Sequence, residues 1–279
     1  HAAPADFAAL LDQAGRLAGL LARALAPLAG DFPLDVRPWR EGEAPPADIK
    51  VHLPAGSLPA LLRRRLSAFP LSAPPVVVAD PALVTAWRGR LAALGPGLKV
   101  GICWRSGLRG AVRAAAFTDL ADWGPLVSLP GARWVNLQYE DCESELTAAE
   151  KRFGVEIWRP PGLDLRDDLE GVAALTTALD LVISTGTSVA ELSGALGVPT
   201  WRLCRRGEWS ALGTACRPWF PAVRPVFAAP GAMLAAAAAA AARLLAALRP
   251  AMALPPPALR VAPPPHTSPA PPAAQLAGK

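Results

Sequence analysis

The chain has 279 residues, a formal net charge of +5, 52% hydrophobic residues and 18% charged residues. This length fits one large domain or two unequal ones, and the composition allows most of the chain to bury a core. The tightest basic cluster, Arg63–Arg65, is expected on a solvated helix face, so no nucleic acid partner is predicted. The longest apolar run, Gly231–Ala242, is mostly alanine and too short to span a bilayer.

The pattern of cysteines and histidines argues against a metal site, and the first residues argue against a secretory signal. The four cysteines and three histidines show neither CxxC spacing nor clustering, so no metal site is predicted. Reduced cysteines are the default in a cytoplasmic protein, which is the expected localisation. The amino terminus lacks a secretory signal pattern, and the missing initiator methionine indicates a fragment of a longer protein.

The first part of the chain combines helical segments with proline-rich connections. Leucines at helical spacing predict a helix at Asp6–Leu28, and shorter helices are expected at Leu58–Leu66 and Leu83–Leu94. The sequence Gly95-Pro96-Gly97 is a strong stop and turn signal. We therefore place a domain boundary near Pro96 and assign residues 1–96 to a partial amino-terminal lobe.

From Leu98 onward, short apolar strands alternate with helices. This alternation predicts βαβ crossovers and a parallel sheet covered on both faces, which is the α/β class. Residues 97–249 are assigned to this second lobe, with an alanine-rich helix at Met233–Leu248, and residues 250–279 to a disordered Pro/Ala-rich tail. The predicted strands are Leu98–Trp104, Arg133–Leu137, Val155–Trp158, Leu181–Ile183 and Pro199–Leu203, and the predicted helices are Leu120–Leu129, Glu143–Phe153, Asp168–Leu179 and Ser188–Leu196.

One candidate site is the segment Ser184–Ser188, which follows a strand and opens a helix. Small hydroxyl residues around a glycine let backbone N–H groups approach an anion, and the helix start adds partial positive charge. This pattern suits a diphosphate at Thr185, Gly186, Thr187 and Ser188. The alternative is an ordinary helix cap, because Ser and Thr are preferred there. The segment matches neither the GxGxxG nor the P-loop nor the GxSxG pattern.

Two further strand ends carry polar residues. Arg105 and Ser106 could donate hydrogen bonds to a phosphate or an acceptor group, although a solvated loop explains them equally well. Gln138 could bind a base or ribose, and Tyr139, the single tyrosine of the chain, could stack; an ordinary strand end is the alternative. Ligands of open parallel sheets bind at the carboxyl ends of the strands, where all these residues are predicted to lie.

Several short motifs between Leu98 and Phe227 occur in the order found in one family. The stretch resembles the carboxyl-terminal region of bacterial tetratricopeptide-linked glycosyltransferases, which are relatives of the heptosyltransferases and, more distantly, of the O-linked N-acetylglucosamine transferases. The matching motifs are Val100-Gly101-Ile102-Cys103-Trp104, Asn136-Leu137-Gln138, Ala173-Ala174-Leu175 with Leu179-Asp180-Leu181-Val182-Ile183, Ser193-Gly194-Ala195-Leu196-Gly197-Val198-Pro199-Thr200-Trp201 and Trp219-Phe220-Pro221.

The resemblance implies a GT-B fold of two Rossmann-like lobes, with the first lobe truncated in this chain. It implies metal-independent transfer, usually inverting, of a sugar from a nucleotide-diphospho-sugar to a protein or surface-glycan acceptor, with no cofactor. Tetratricopeptide repeats would lie upstream. By position, Gly186, Thr187 and Ser188 would contact the diphosphate and Gln138 would lie near the nucleoside. No residue can be assigned as the catalytic base.

Two residues depart from the family's pattern. Gly186 stands where the family often has Asp, and Glu191 stands where it often has His. A carboxylate repels a diphosphate, but it can accept hydrogen bonds from ribose or sugar hydroxyls. Glu191 is therefore expected to contact the nucleoside or the sugar of the donor. These departures leave open a catalytically degenerate binding or scaffold module of the same fold. An unrelated Rossmann-like oxidoreductase is a weaker hypothesis, because the glycine fingerprint is missing.

Overall fold

The computed structural model describes residues 57–69, 75–106, 117–205 and 207–227, together with positions 239 and 243. The predicted helix Asp6–Leu28 and the tail from residue 250 lie outside these residues, as does nearly all of Met233–Leu248. Within the described ranges, no helix combines the length and apolar character that crossing a membrane requires.

One sheet of six strands forms the centre of the described chain. The strands are β1 (Leu98–Cys103), β2 (Ala132–Asn136), β3 (Ile157–Trp158), β4 (Leu181–Ser184), β5 (Thr200–Cys204) and β6 (Val223–Phe227). Their order across the sheet is β3-β2-β1-β4-β5-β6, and every neighbouring pair is parallel. This is the strand order of Rossmann-like domains, so the predicted α/β class and parallel sheet are confirmed. The sixth strand is absent from the predicted set.

The described helices are α1 (Leu58–Leu62), α2 (Pro81–Ala92), α3 (Gly124–Val127), α4 (Glu143–Phe153), α5 (Leu169–Thr177) and α6 (Ser188–Ala195), with 3-10 turns at Leu66–Ala68, Leu120–Asp122 and Trp209–Ala211. Helices α2 to α6 pack on the two faces of the sheet. Successive strand residues point to opposite faces. In β4, Leu181 and Ile183 join an apolar cluster with α3 and α4, whereas Val182 joins a second cluster with α2, α5 and α6.

Helix α2 belongs to this layered core, although it precedes the predicted boundary at Pro96. The side chain of Asp80 caps its first turn, and Pro81 occupies its first position, where no N–H is needed. Trp87 is buried among residues of the sheet, and its ring meets that of Trp158 edge-on at 6.3 Å between centroids. The packing therefore groups α2 with the sheet that follows it, whereas the predicted division assigns this helix to the preceding lobe.

The predicted helix Leu120–Leu129 is wrong as one continuous element. A 3-10 turn and the short helix α3 replace it. Pro125 lies in the first turn of α3 and has no N–H with which to continue a helix from Leu120. The prediction for Glu143–Phe153 is confirmed residue for residue. Gly197 follows α6 with φ 71°, the left-handed conformation expected after a helix end.

Candidate functional site

The carboxyl ends of β1, β2, β4 and β5 meet at one edge of the sheet. The strand order changes direction between β1 and β4, the position where ligands bind in open α/β sheets. The register pairs Cys103 with Ser184, and Ser184 with Arg202. The predicted site residues therefore share this edge, in two regions. We call Ser184–Ser188 the turn, and Cys103–Arg105 together with Gln138 the latch.

The turn connects β4 to α6 and opens to solvent at two of its residues. Gly186 and Ser188 are exposed, whereas Thr185 and Thr187 are buried. Thr187 has the extended backbone of a helix cap, but its hydroxyl makes no capping bond and instead lies 2.9 Å from Ser184 Oγ. The Oγ1 atom of Thr185 is buried without a hydrogen-bond partner in the described residues.

The first backbone N–H groups of α6 follow directly after this opening. A helix leaves its first N–H groups without internal partners, and a cap side chain normally satisfies one of them. In the described part of the chain, the N–H groups of Ser188, Val189 and Ala190 donate to no acceptor. The positive end of the helix dipole adds to these donors. The turn thus has the donors and the polarity that bind anions.

Arg202 lies directly behind the turn. Its side chain is 9% exposed, and a Cβ built on Gly186 would lie 2.8 Å from its Nη2 atom. Glycine at position 186 therefore leaves room for the guanidinium. The Nη1 atom pairs with Glu208, while Nε has no hydrogen-bond partner among the described residues and lies 3.8 Å from Glu191 Oε1. Burial alone would lower the pKa of Arg202, but the hydrogen bond to Glu208 raises it, so the cation is retained.

A second buried arginine, Arg217, holds Glu191 in the first turn of α6. Its Nη2 atom donates to both carboxylate oxygens, at 2.6 and 2.5 Å, and its Nη1 donates to Ser210 Oγ at 3.0 Å. Burial lowers the pKa of Arg217, although the negative charge of Glu191 opposes that shift. The Glu191 carboxylate, 42% exposed, thus stands near the turn with its charge compensated.

In the latch, the side-chain amide of Gln138 bonds to the backbone of the residues that follow β1. Its side chain is almost fully buried, its Oε1 accepts from the N–H groups of Trp104 at 3.3 Å and Arg105 at 3.2 Å, and its Nε2 donates to the Arg105 carbonyl at 2.9 Å. These bonds fix the backbone that follows β1. They occupy the amide that was predicted to contact a nucleoside, and that contact stays a prediction.

Arg105 and Tyr139, also predicted as ligand contacts, have protein partners. The guanidinium of Arg105 meets Glu145 of α4, with Nη2 at 2.6 Å and Nε at 3.1 Å from Oε1, and this hydrogen bonding raises the pKa of Arg105. The Tyr139 hydroxyl lies 3.3 Å from Ser106 Oγ. The guanidinium of Arg105 is therefore paired with α4. To contact a phosphate, it would have to break its bonds to the Glu145 carboxylate.

Cys103 lies between the latch and the turn and contacts a residue of each. Its Sγ lies 3.6 Å from both Gln138 Oε1 and Thr187 Oγ1, and it is completely buried. Burial raises the pKa of this thiol to about 11, so it remains protonated and neutral near neutral pH. The turn and the latch are therefore joined by a buried polar contact.

Sequence reasoning missed Arg202, which lies against Gly186, and Arg217, which binds Glu191. They lie 15 positions apart in the chain, and neither belongs to a motif. One signal was present, because Arg202 stands inside the predicted strand Pro199–Leu203, where a buried charged residue needs a partner.

Comparison with known proteins gives a sequence relative and distant structural likenesses. No family model matches the chain. Protein FlbA of Caulobacter vibrioides is 47% identical over 145 residues, which are 52% of this chain and 24% of that protein, so the match spans about a quarter of the relative's length. The glycosyl transferase family 9 structure from Veillonella parvula DSM 2008 aligns with a TM-score of 0.42 and 9% identity, covering 55% of this chain and 42% of that one. The fold assignment rests on the strand order of the sheet.

Proposed function

We propose that this chain is the donor-binding part of a glycosyltransferase. The enzyme would move a sugar from a nucleotide-diphospho-sugar to a protein or surface-glycan acceptor, without a metal ion and with inversion at the anomeric carbon. Upstream tetratricopeptide repeats that recruit the acceptor, and a cytoplasmic location, belong to the same proposal. The observation that carries it is the exposed turn at the start of α6, with the buried guanidinium of Arg202 against Gly186.

The chemistry of such a transfer suits this arrangement. When the bond to the sugar breaks, negative charge develops on the departing nucleoside diphosphate. Donors and dipoles fixed in advance where that charge appears stabilise the transition state. The N–H groups from Ser188 to Ala190 and the positive end of α6 supply fixed donors, and Arg202 supplies a full charge behind them.

The burial pattern narrows which atoms would contact the diphosphate. The side chains of Thr185 and Thr187 are buried and turned into the protein, so their proposed contribution is through the backbone. Gly186 and Ser188 face solvent and would meet the phosphates directly. The half-exposed Glu191 carboxylate, held by Arg217, is suited to accept hydrogen bonds from ribose or sugar hydroxyls.

A catalytically degenerate binding module is the second candidate. The observation that favours it is charge balance, because the two arginines beside the turn are matched by two carboxylates, Glu191 and Glu208. A diphosphate would then meet the helix end with little net positive charge. Under this alternative the chain binds a nucleotide or a glycan but supports no transfer.

Calorimetric titration of two matched variants tests the proposal. Wild-type protein is titrated with UDP, GDP, ADP, CMP and their sugar conjugates, and the ligand that binds is then titrated into Ser188→Glu and Ser188→Gln. We expect Ser188→Glu to weaken binding by about a hundredfold, because it places like charge beside the phosphates. Ser188→Gln has similar size without charge and should stay within a few-fold of wild type.

Thermal unfolding of each variant shows whether a loss of affinity is caused by a loss of folded protein. An acidic residue in the first turn of a helix is favourable by about 0.3–1 kcal/mol, so Ser188→Glu should unfold no earlier than wild type. Equal affinity of the two variants would show that the diphosphate lies elsewhere. Failure of every nucleotide to bind the wild type would overturn the donor-binding proposal. Binding without transfer or donor hydrolysis by the full-length protein would favour the degenerate module.

A further inference from the structure

A concave surface lies around Trp209. This side chain is 79% exposed, the largest exposure among the large hydrophobic side chains that the structure describes. Tryptophan is highly buried on average, and an exposed apolar surface at a concave site marks a place where something binds. Trp209 stands on the 3-10 turn Trp209–Ala211, just beyond the carboxyl end of β5.

The indole borders a cavity of about 470 Å³. That volume lies in the range of roughly 300–1,000 Å³ typical of small-molecule sites. Glu208 and Thr214 supply polar groups in its lining, and Phe227, the last residue of β6, adds a second aromatic ring. A few polar groups among apolar and aromatic surface are the usual composition of a ligand site.

The loop that forms this cavity is held in an uncommon backbone conformation. Leu212 has φ 50°, and within the described residues it is the one non-glycine residue with positive φ. A bulky side chain in this region of φ is an outlier, and such conformations cluster at functional sites. Hydrogen bonds from the Ala211 N–H to the Glu208 carbonyl at 3.1 Å, and from the Thr214 N–H to the Ala211 carbonyl at 2.9 Å, fix the loop.

Glu208 connects this cavity with the turn. Its carboxylate pairs with Arg202, whose guanidinium lies against Gly186, and also accepts from Ser210 Oγ at 2.7 Å. The same side chain lines the cavity and remains 19% exposed. A molecule beside Trp209 and a diphosphate at the turn would therefore be separated by only the Arg202–Glu208 pair.

We infer that this cavity binds a pyranose ring of a sugar, stacked on the indole of Trp209 and hydrogen-bonded by its hydroxyls to Glu208. One face of a pyranose presents C–H groups of slight positive charge, which complement the negative face of an aromatic ring. Its hydroxyls donate hydrogen bonds, and an exposed carboxylate edge accepts them. The ligand class rests on the proposed function. Either the sugar of the donor or a sugar of the acceptor glycan has this chemistry.

Saturation-transfer NMR with methyl glycosides tests the site without any phosphate. The probes are the methyl pyranosides of glucose, galactose, mannose and N-acetylglucosamine, with uridine and adenosine as comparison ligands. We expect at least one glycoside to bind, Trp209→Ala to weaken it by about tenfold or more, and Trp209→Tyr to retain most of the affinity. The melting temperature of Trp209→Ala should match wild type, because the ring is exposed.

Two further experiments identify the source of the sugar and distinguish the sugar site from the proposed diphosphate site. Competition between the glycoside and an intact nucleotide sugar assigns the cavity to the donor, whereas simultaneous binding assigns it to the acceptor. Ser188→Glu should leave glycoside binding unchanged, so failure of the diphosphate site does not affect this result. The inference is overturned if no glycoside binds, if Trp209→Ala binds as well as wild type, or if only the nucleosides depend on Trp209.

Discussion

The latch and the turn lie at the same edge of the sheet, yet they differ in what their polar groups contact. In the latch, the amide of Gln138 and the guanidinium of Arg105 bond to protein partners. At the turn, Gly186 and Ser188 are exposed, and the Nε of Arg202 has no hydrogen-bond partner in the described chain. A polar residue at a strand end is therefore a candidate ligand contact only where the fold leaves its donors unsatisfied.

The difference has a physical origin in burial. A buried polar group without a partner is costly, so the fold satisfies it with its own backbone wherever it can. Gln138 is almost fully buried and bonds to three backbone groups of the β1 end. The N–H groups of Ser188, Val189 and Ala190, which begin α6, have no acceptor in the described chain, and under the proposed function an anion would accept hydrogen bonds from them. Variants of the latch should accordingly lower stability alone, whereas variants of the turn or of Arg202 should lower nucleotide affinity.

Arg202→Met should have the largest effect on stability. It leaves the partly buried carboxylate of Glu208 without its cation, and breaking a buried pair costs about 3–5 kcal/mol. Urea denaturation measures the loss. The double variant Arg202→Met with Glu208→Gln removes both charges and should recover much of that stability while nucleotide affinity stays low. Wild-type affinity in the double variant would show that Arg202 has no role at the turn.

Gln138→Leu should be the next most destabilising change. It strands the N–H groups of Trp104 and Arg105, at an expected cost of about 2–3 kcal/mol in free energy of unfolding. Tyr139→Phe, which removes one hydroxyl contact to Ser106, is the matched control and should cost less than about 1 kcal/mol. Nucleotide affinity should be unchanged in the folded fraction. Lost affinity with wild-type stability would instead support a nucleoside contact at Gln138.

Sequence pattern alone was sufficient for most of the sheet, because buried strands and amphipathic helices alternate with clear periodicity. Strand β6 was missed because Arg224 and Pro225 interrupt its apolar pattern, which an edge strand tolerates. The exposed turn was predicted from its small residues. The arginines behind it were not predicted, because β5 and the loop before β6 bring them to α6 only in three dimensions.

A pH titration should give a smaller effect with a defined sign. Burial alone would raise the pKa of Glu208, but hydrogen bonds from Arg202 and Ser210 bring it below its usual 4.5. A carboxyl group with a lowered folded pKa adds stability above its unfolded pKa and loses it as the pH falls through the folded value. The stability advantage of wild type over Glu208→Gln should therefore be constant above about pH 5.5 and shrink below about pH 4.5. An advantage that grows on acidification would contradict the Arg202–Glu208 pairing.

The most direct test of the account is to locate a diphosphate by amide chemical shifts. Inorganic pyrophosphate or a binding nucleoside diphosphate is titrated into ¹⁵N-labelled protein, and the shifts of the backbone N–H groups are followed. The account predicts the largest shifts at Gly186, Ser188, Val189 and Ala190, with little change at Trp104 and Arg105. Large shifts confined to the latch, with the start of α6 unaffected, would contradict it.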